Sequence, residues 1–344
     1  MQAGKTESPL TLKAGPPETL AVREAPDPSP GPSEVRIDVE ASGINFADVM
    51  ARQGLYPDAP KIPCVVGYEV AGTIDAVGPG TGSRVGEAVL ALTRFGGYSD
   101  TVVVPDAHAV VRPPGLAAQA AVAIPVNYLT AYQMLFGMAG IKRGDRVLIH
   151  QAAGGVGLAA IDLCRIAGAE TYGTTSASKH EFVRSRGLDH PIDYRTEDYE
   201  TVVRELTGGR GVHVILDPIG GKSWAKGLRL LAPTGRLVCF GLSALSAGRE
   251  RSLRTTLKTL AAIPWLRINP LSLMNTNRGV LGVNLGHMWE QREMLVGWLD
   301  QILTWYGEGK VRPHVDRAFS FADAPAAHAY IQDRKNVEKV VLVP

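Results

Sequence analysis

A glycine-rich turn between a predicted strand and a predicted helix is the first feature that could do chemistry. In "RVLIHQAAGGVGLAA" (146–160) the spacing Ala152-x-Gly154-x-x-Gly157 fits a dinucleotide-binding turn. Gly154 lets the backbone approach a pyrophosphate, Gly157 lets the helix pack on the strand, and the helix N-terminus offers unpaired N–H groups to the anion. The alternative is a tight turn without a ligand. The predicted cofactor contacts are Ala153, Gly154, Gly155, Val156 and Gly157.

The end of the next predicted strand decides between NAD and NADP. An acidic residue there would accept hydrogen bonds from the ribose 2′-hydroxyl of NAD and repel a 2′-phosphate. The chain instead has "GTTSASK" (173–179), with no carboxylate before Glu181. Hydroxyl and ammonium groups suit a phosphate, so Thr174, Ser176 and Lys179 are predicted to favour NADP(H). The alternative for Lys179 is an ordinary solvated charge.

Two polar residues interrupt the small and apolar run "ASGINFADVM" (41–50). Asp48 follows Asn45 by three residues, a spacing that suits a short helical turn. We expect Asp48 to hold loop backbone or a neighbour. Asn45 has two interpretations, a loop amide that satisfies backbone groups or a side chain that takes part in chemistry.

The elements that must position these residues form two lobes. From about residue 143, six apolar runs alternate with segments of helical length, which indicates an α/β fold with a doubly wound parallel sheet. The first 110 residues have short strand-like runs and Pro/Gly turns, typical of a small barrel or sandwich. The closing strand, "KVVLVP", resembles this first lobe. We predict one domain from 1–124 with 311–344 and a nucleotide-binding domain at 125–310, with an insertion at about 242–277.

Composition excludes several classes. The 344 residues include 36 basic and 34 acidic side chains, so the net charge of +2 gives no reason to expect nucleic acid. The three cysteines form no CxxC pair, which suits a reducing compartment. The N-terminus lacks the apolar core of a signal peptide, so a cytoplasmic location is expected. Residues 113–141 carry no charge, but polar residues and glycines interrupt them, so a buried helix between domains is predicted.

Several motifs together resemble one protein family. They are "GINFADVMARQGLYP" (43–57), "GYEVAGTIDAVGPG" (67–80), "GGYSD" (96–100), "LTAYQML" (129–135), "AAGGVG" (152–157), "IDYR" (192–195) and "KVVLVP" (339–344). In this order they resemble the medium-chain dehydrogenase/reductase superfamily, within it the zinc-free quinone oxidoreductases. The segment 268–289 resembles the branch of the synaptic-vesicle amine-transport protein homologues. The resemblance implies a Rossmann domain plus a GroES-like catalytic domain.

The resemblance also bears on metal chemistry. Zinc-dependent members carry a Cys where this chain has Asn45 and a His where it has Tyr68, so of that set only Glu69 remains. Zinc prefers thiolate and imidazole ligands, and no zinc is expected. Without a metal, a quinone or enone can take hydride at a position where the charge delocalises onto oxygen and donors stabilise it. The resemblance implies Asn45, near the nicotinamide, and Tyr56 as those catalytic donors.

Other positions take their roles from the same resemblance. Relatives carry Tyr where this chain has Phe46, and often Gly where it has Glu338, which puts the substrate range and the contacts of Asn336 and Lys339 in doubt. A homodimer through the edge strand "GVLGVNL" (279–285) is implied. The further cofactor contacts implied are Asn45, Thr130, Tyr194, Phe240, Gly241, Val283, Asn284 and Asn336.

Two functions from different classes follow. The first is an NADPH-dependent reductase of quinones or α,β-unsaturated carbonyl compounds, with a small-molecule acceptor as its partner. The second is a cofactor-binding, membrane- or lipid-associated protein with little redox activity. Its support is the insertion, where Arg249, Arg251, Arg254 and Lys258 precede "LAAIPWL", because a basic, partly apolar helix can lie on an anionic bilayer. Such a stretch can equally be a solvated face with one side packed.

Overall fold

The computed structural model describes residues 5–246, 253–263 and 268–344. Its strands are β1 Lys5–Thr11, β2 Leu20–Pro26, β3 Glu34–Ile44, β4 Cys64–Val65, β5 Glu69–Val77, β6 Ala88–Leu92, β7 Thr101–Pro105, β8 Ala109–Val111, β9 Arg146–Ile149, β10 Glu170–Thr175, β11 His190–Asp193, β12 Val212–Asp217, β13 Leu231–Cys239, β14 Gly279–Gly282, β15 Val315–Ser320 and β16 Lys339–Val343. Its helices are α1 Phe46–Arg52, α2 Ala118–Ala121, α3 Pro125–Tyr132, α4 Gly155–Ala167, α5 His180–Arg186, α6 Tyr199–Leu206, α7 Lys222–Leu230, α8 Leu253–Ala261, α9 Pro270–Thr276, α10 Arg292–Gly307 and α11 Ala324–Gln332.

A six-stranded parallel sheet forms the second lobe, in the order β11-β10-β9-β12-β13-β14. This is the order of a dinucleotide-binding fold, in which the chain reverses direction across the sheet between β9 and β12. The central strands are apolar on both faces because helices cover both, and Leu148 and Ile215 are fully buried. The predicted α/β class and doubly wound sheet are confirmed.

The first lobe is a β-rich, GroES-like domain. Its larger sheet has the order β15-β16-β3-β5-β6-β8, with β7 paired to β3, and a smaller sheet has the order β2-β1-β4. The strand β16, near residue 340, pairs antiparallel with β3 and sets Val340 opposite Ile44. This register brings Lys339 beside Asn45, which immediately follows β3.

The charge-free segment packs between the lobes, as predicted. It forms α2, α3 and a π-helical turn at Gln133–Met138, and Tyr128, Leu129 and Met134 in it are fully buried. Among the described residues, none of the helices is long and apolar enough to cross a membrane. The domain limits 1–124 with 311–344 and 125–310 stay a prediction.

The predicted insertion is described in part. Residues 253–261 form α8 and 270–276 form α9. Arg254 and Lys258 lie on α8, whereas Arg249, Arg251 and residues 264–266 of "LAAIPWL" lie outside the described residues.

Candidate active site

The glycine turn has the geometry expected of a phosphate-binding loop. Gly154 is the N-cap of α4, with φ −83° and ψ 170°, so the helix begins directly after the turn. A Cβ on Gly157 would lie 2.5 Å from the backbone oxygen of Gln151, and one on Gly155 would lie 2.5 Å from the amide of Asn127. Gly157 is therefore required by space, and a side chain at position 155 would have to displace that of Asn127. The free amides at the start of α4 can receive a pyrophosphate.

The residues predicted to hold a 2′-phosphate differ in what their side chains contact. The Thr174 hydroxyl is buried, accepts from the Gln151 N–H at 3.3 Å and lies 3.1 Å from Nδ1 of His150. Its side chain is thus used inside the sheet. Ser176, after β10, has its hydroxyl 3.3 Å from that of Ser178.

Lys179 is tied to the far end of the chain. Its Nζ donates to the backbone oxygens of Arg334, at 2.9 Å, and Asn336, at 2.5 Å. Burial lowers the pKa of Lys179. Lys179 is therefore not an ordinary solvated charge, because it fixes the loop before β16. Its contact with a 2′-phosphate stays a prediction.

Two arginines that sequence reasoning missed lie beside Tyr194. Burial alone raises the pKa of Tyr194, but hydrogen bonds with Arg334 and Arg195, together with their charges, lower it. The Arg195 guanidinium lies 5.9 Å from the centre of the Tyr194 ring. Arg195 closes the "IDYR" motif, so a signal for it was present, whereas Arg334 is brought in only by the fold.

Asn45, Glu69 and Lys339 form a group that we call the polar triad. Asn45 lies between β3 and α1; its Nδ2 donates to Oε1 of Glu69 at 2.9 Å, and its Oδ1 accepts from Nζ of Lys339 at 2.8 Å. Nζ of Lys339 also pairs with Oε1 of Glu69, and both of these charged side chains are buried. The other oxygen of Glu69 accepts from the N–H of Val126, at the start of α3, at 2.7 Å.

Asp48 holds backbone, as expected. Its carboxylate accepts from the N–H of Asn45 at 2.8 Å, from the N–H of Gly67 at 3.0 Å and from the hydroxyl of Tyr98 at 3.2 Å. Burial raises its pKa to about 7. Beyond it, the Tyr98 hydroxyl lies 3.1 Å from Nε2 of His328, whose pKa burial lowers to about 3. Asp48 thus fixes the turn that presents Asn45.

Tyr56, Tyr68 and Phe95 form what we call the aromatic wall. The ring of Tyr68 meets that of Tyr56 edge-on at 6.2 Å and lies 4.8 Å from that of Phe95. Tyr56 donates to Oδ1 of Asn284 at 3.5 Å, a long bond that spans the two lobes. The Tyr68 hydroxyl is buried and has no hydrogen-bond partner of good geometry within the described ranges. The wall therefore carries two phenol hydroxyls.

Some of the remaining predicted contacts follow strands of the parallel sheet at their carboxyl ends. Phe240 and Gly241 follow β13, and Val283, after β14, donates its N–H to Cys239 at 2.9 Å. Thr130 lies buried on α3. Asn336 donates to the backbone oxygen of Glu338 at 2.9 Å. Phe240, Gly241 and Val283 thus lie at the carboxyl edge of the sheet, where open α/β sheets bind ligands, whereas Thr130 and Asn336 belong to α3 and to the loop before β16.

The segment before β16 connects the glycine turn to the polar triad. Glu338 donates its N–H to the oxygen of Ala153 at 2.8 Å and forms a bridge with Gly154, and the next residue is Lys339. Glu338 has φ +65°, a conformation that favours glycine. Its buried carboxylate pairs with Arg186 at 3.1 Å, and burial raises its pKa to about 7. Glu338 thus contacts the turn through its backbone, while its side chain pairs with Arg186, which also pairs with Asp162.

Among the described residues, no group of three or more His, Cys, Asp or Glu side chains could hold a metal ion. The side chains at the positions of the zinc ligands, Asn45 and Tyr68, carry an amide and a phenol, which are poor zinc ligands beside thiolate and imidazole.

Two families match most of this fold. The alcohol dehydrogenase GroES-like domain matches residues 31–115, and the zinc-binding dehydrogenase family matches residues 186–342. The human synaptic vesicle membrane protein VAT-1 homolog is 40% identical over 329 residues, which cover 94% of this chain and 82% of that protein. The chain belongs to the medium-chain dehydrogenase/reductase superfamily. Within this superfamily it lies in the quinone-oxidoreductase-like branch near the VAT-1 homologues, as the motifs predicted.

Solved structures of this superfamily superpose over nearly the whole chain. A mycobacterial protein complexed with NADPH has a TM-score of 0.86 at 30% identity, covering 98% of this chain and 100% of that one. A quinone oxidoreductase from Pseudomonas syringae has a TM-score of 0.85 at 29% identity, with the same coverage. The CurK enoyl reductase has a TM-score of 0.82 at 30% identity, covering 98% and 99%. These neighbours support a redox role.

The expected cytoplasmic location is corrected by the same comparison. The human relative is named a synaptic vesicle membrane protein. The expectation rested on the missing apolar core of a signal peptide and on the cysteines. Neither feature detects a protein that attaches to a membrane surface, because such attachment needs no apolar segment at the N-terminus.

Proposed function

We propose that the protein is a zinc-independent, NADPH-dependent oxidoreductase that reduces quinones or α,β-unsaturated carbonyl compounds by hydride transfer. The observation that carries the proposal is the link between the glycine turn and Asn45. Residue 338 contacts the turn, and residue 339 contacts Asn45. A hydrogen-bond donor is thereby held next to a nucleotide site.

NADPH is supported by the charges at the end of β10 and β11. Tyr194, Arg195 and Arg334 are grouped there, and the carboxylate that would favour NAD is missing from 173–180. Arginine side chains suit a phosphate dianion. The residues of the turn, Gly154 to Gly157, would hold the pyrophosphate at the start of α4. When bound, the reduced nicotinamide supplies the hydride.

The residues of the chain stabilise the product of hydride transfer. Hydride addition to a quinone or enone leaves negative charge on oxygen, which N–H and O–H donors stabilise. Asn45 and Tyr56 are the proposed donors, and the aromatic wall offers flat apolar surfaces to a planar acceptor. The proton comes from solvent or a relay. No step needs a Lewis acid, which fits the amide of Asn45 and the phenol of Tyr68.

Turnover of a panel of quinones and enones tests this function. We expect acceptor-dependent oxidation of NADPH, much weaker oxidation of NADH, and no loss of rate after dialysis against a chelator. Binding of NADPH, followed by its fluorescence, is measured in parallel. Bound NADPH without oxidation by any acceptor would contradict the proposal, and a rate restored only by zinc would contradict its metal-free part.

A homodimer through β14 is also proposed. β14 is the last strand of the parallel sheet, so one of its edges is unpaired within the described part of the chain. Pairing with a second copy would cover this edge. Light scattering is expected to give the mass of a dimer, and a monomer would remove this proposal.

One observation favours the second candidate function, a lipid-associated protein. On α8, Leu257 and Leu260 are 60% and 42% exposed, beside the exposed Lys258. Exposed leucines next to a cation can bind an anionic bilayer surface. Sedimentation with vesicles that contain anionic lipid tests this, with neutral vesicles as the control. Lack of binding to both would remove it.

A further inference from the structure

The polar triad fixes which way the amide of Asn45 faces. The ammonium of Lys339 can only donate hydrogen bonds, and the carboxylate of Glu69 can only accept them. Asn45 turns its Oδ1 to the ammonium, at 2.8 Å, and its Nδ2 to the carboxylate, at 2.9 Å. A flipped amide would set donor against donor and acceptor against acceptor. The two charges therefore select one orientation.

This orientation leaves one group of the amide free. The Oδ1 is occupied by Lys339 and one hydrogen of Nδ2 by Glu69, and within the described part of the chain the second hydrogen of Nδ2 makes no hydrogen bond. Asn45 can therefore offer a donor to a ligand, whereas its acceptor is occupied. A loop amide in water would offer either.

The backbone is shaped to hold the two charges together. A Cβ on Gly43 would lie 2.6 Å from both Oε1 of Glu69 and Cε of Lys339, so glycine is required at the end of β3. Lys339 is 1% exposed and Glu69 is fully buried. Burying such a pair costs desolvation energy that the Coulomb attraction does not always recover. A contribution to stability alone therefore does not explain why the pair is buried.

We propose that Lys339 and Glu69 are positioning residues that lock the Asn45 amide as a hydrogen-bond donor to the oxygen of the acceptor. This rests on the proposed function. The ammonium also draws electron density through Oδ1, which makes the free N–H a stronger donor in a buried site. Lys339 and Glu69 do not themselves touch the acceptor.

A double-mutant cycle on kcat tests this. Lys339→Met with Glu69→Gln removes both charges at once and so avoids leaving one buried charge unpaired. We expect kcat to fall about 10- to 100-fold, the effect of a donor misplaced by about an ångström, while NADPH affinity stays unchanged. In an Asn45→Ala background the same pair of substitutions is expected to change kcat less than about 3-fold, since coupled residues are not additive.

The outcomes separate the positioning role from a structural one. The charge-free variant is Lys339→Met with Glu69→Gln. The proposal would be overturned if its kcat equalled that of the wild type. It would also be overturned if these two substitutions lowered kcat by the same factor in the Asn45→Ala background as in the wild type. The matched control is Lys226→Met, which removes the ammonium of an exposed ion pair with Asp198 and is expected to leave kcat unchanged. Melting temperatures of all variants show whether each one folds.

A second readout does not depend on turnover. The Asn45 side-chain amide signal in an ¹⁵N NMR spectrum is identified as the peak lost in Asn45→Ala. In the wild type we expect slow exchange for its proton bonded to Glu69, and fast exchange in a Lys339→Met, Glu69→Met variant, which removes the acceptor together with both charges. Retained protection in that variant would overturn the proposal. A wild type that shows protection but reduces no acceptor would sink the proposed function and leave the orientation of the amide standing.

Discussion

Asn45 and Tyr68 stand where zinc-dependent relatives have metal ligands, and both carry hydrogen-bonding groups instead. Asn45 is held by two buried charges, whereas the Tyr68 hydroxyl is buried without a good partner in the part of the chain described. A buried donor without a partner costs free energy, so a ligand oxygen that bonds to it would recover that energy. Both side chains therefore offer hydrogen-bond donors to a ligand.

Asn45→Ala tests the donor directly. We expect kcat to fall about 100-fold, the usual cost of one donor to a developing oxyanion. The turn should survive, because Asp48 holds it through the backbone N–H of residue 45, which alanine keeps. The measurement is acceptor-dependent oxidation of NADPH together with the melting temperature. Unchanged turnover would return Asn45 to the role of a loop amide.

Arg334 is expected to discriminate between the two nicotinamide cofactors. Arg334→Ala should weaken NADPH binding about 10-fold, equivalent to about 1.4 kcal/mol, because one charge-assisted bond to the 2′-phosphate is lost. NADH, which lacks that phosphate, should bind as before. Arg317→Ala is the control, since Arg317 stacks on Tyr330 instead, at 5.2 Å. Equal loss for both cofactors would show that Arg334 acts through the loop alone.

The elements were largely predictable because their signals are local. The apolar runs at 146–150, 170–175 and 212–217 lie on β9, β10 and β12, and the glycine spacing placed the start of α4. The polar triad was not predictable in the same way. Lys339 contacts Asn45 across 294 residues of chain, and Lys179 reaches Asn336 across 157. Only the pairing of β16 with β3 and the packing of the lobes create these contacts.

Two glycine-to-alanine substitutions in different helices separate the effect of a steric clash on stability from the effect of helix propensity. Gly157→Ala on α4 would place a Cβ 2.5 Å from a backbone oxygen, so we expect a loss of roughly 2 kcal/mol in the free energy of unfolding and weaker NADPH binding. Gly297→Ala on α10 meets no atom within 4 Å and should gain up to about 1 kcal/mol. Denaturant unfolding measures both. Similar effects at both sites would contradict the packing account.

Across the whole molecule, buried titratable groups connect stability to pH. His328 lies on α11 against Tyr98, with Asp48 beyond it and the charge of Arg52 nearby. Burial lowers the pKa of His328 from 6.5 to about 3. The unfolded chain therefore binds a proton below pH 6.5 that the folded protein does not, and stability falls as the pH drops from 6.5 towards 3.

His328→Gln isolates this contribution. Between pH 7 and pH 5 the free energy of unfolding of the wild type should fall by about 2 kcal/mol because of His328, and the variant should not show this loss. Asp48 acts in the opposite direction, because its raised pKa lets the folded state keep a proton below pH 7. The difference between wild type and variant, measured by unfolding at both pH values, is therefore the quantity to follow. If the free energies of unfolding of wild type and variant changed equally between pH 7 and pH 5, His328 would not be buried in the folded protein.

The short segment 334–339 contacts Tyr194, at the proposed 2′-phosphate site, through Arg334, the glycine turn through Glu338 and the proposed donor through Lys339. Five peptide bonds separate the first of these residues from the last, so a shift at one end is carried to the other with little slack. Engineering a change from NADPH to NADH at this loop is therefore expected to alter the turnover number as well. On the proposed function, the same constraint applies to natural divergence, since a lineage that changes its cofactor preference here must also restore the placement of the proposed donor.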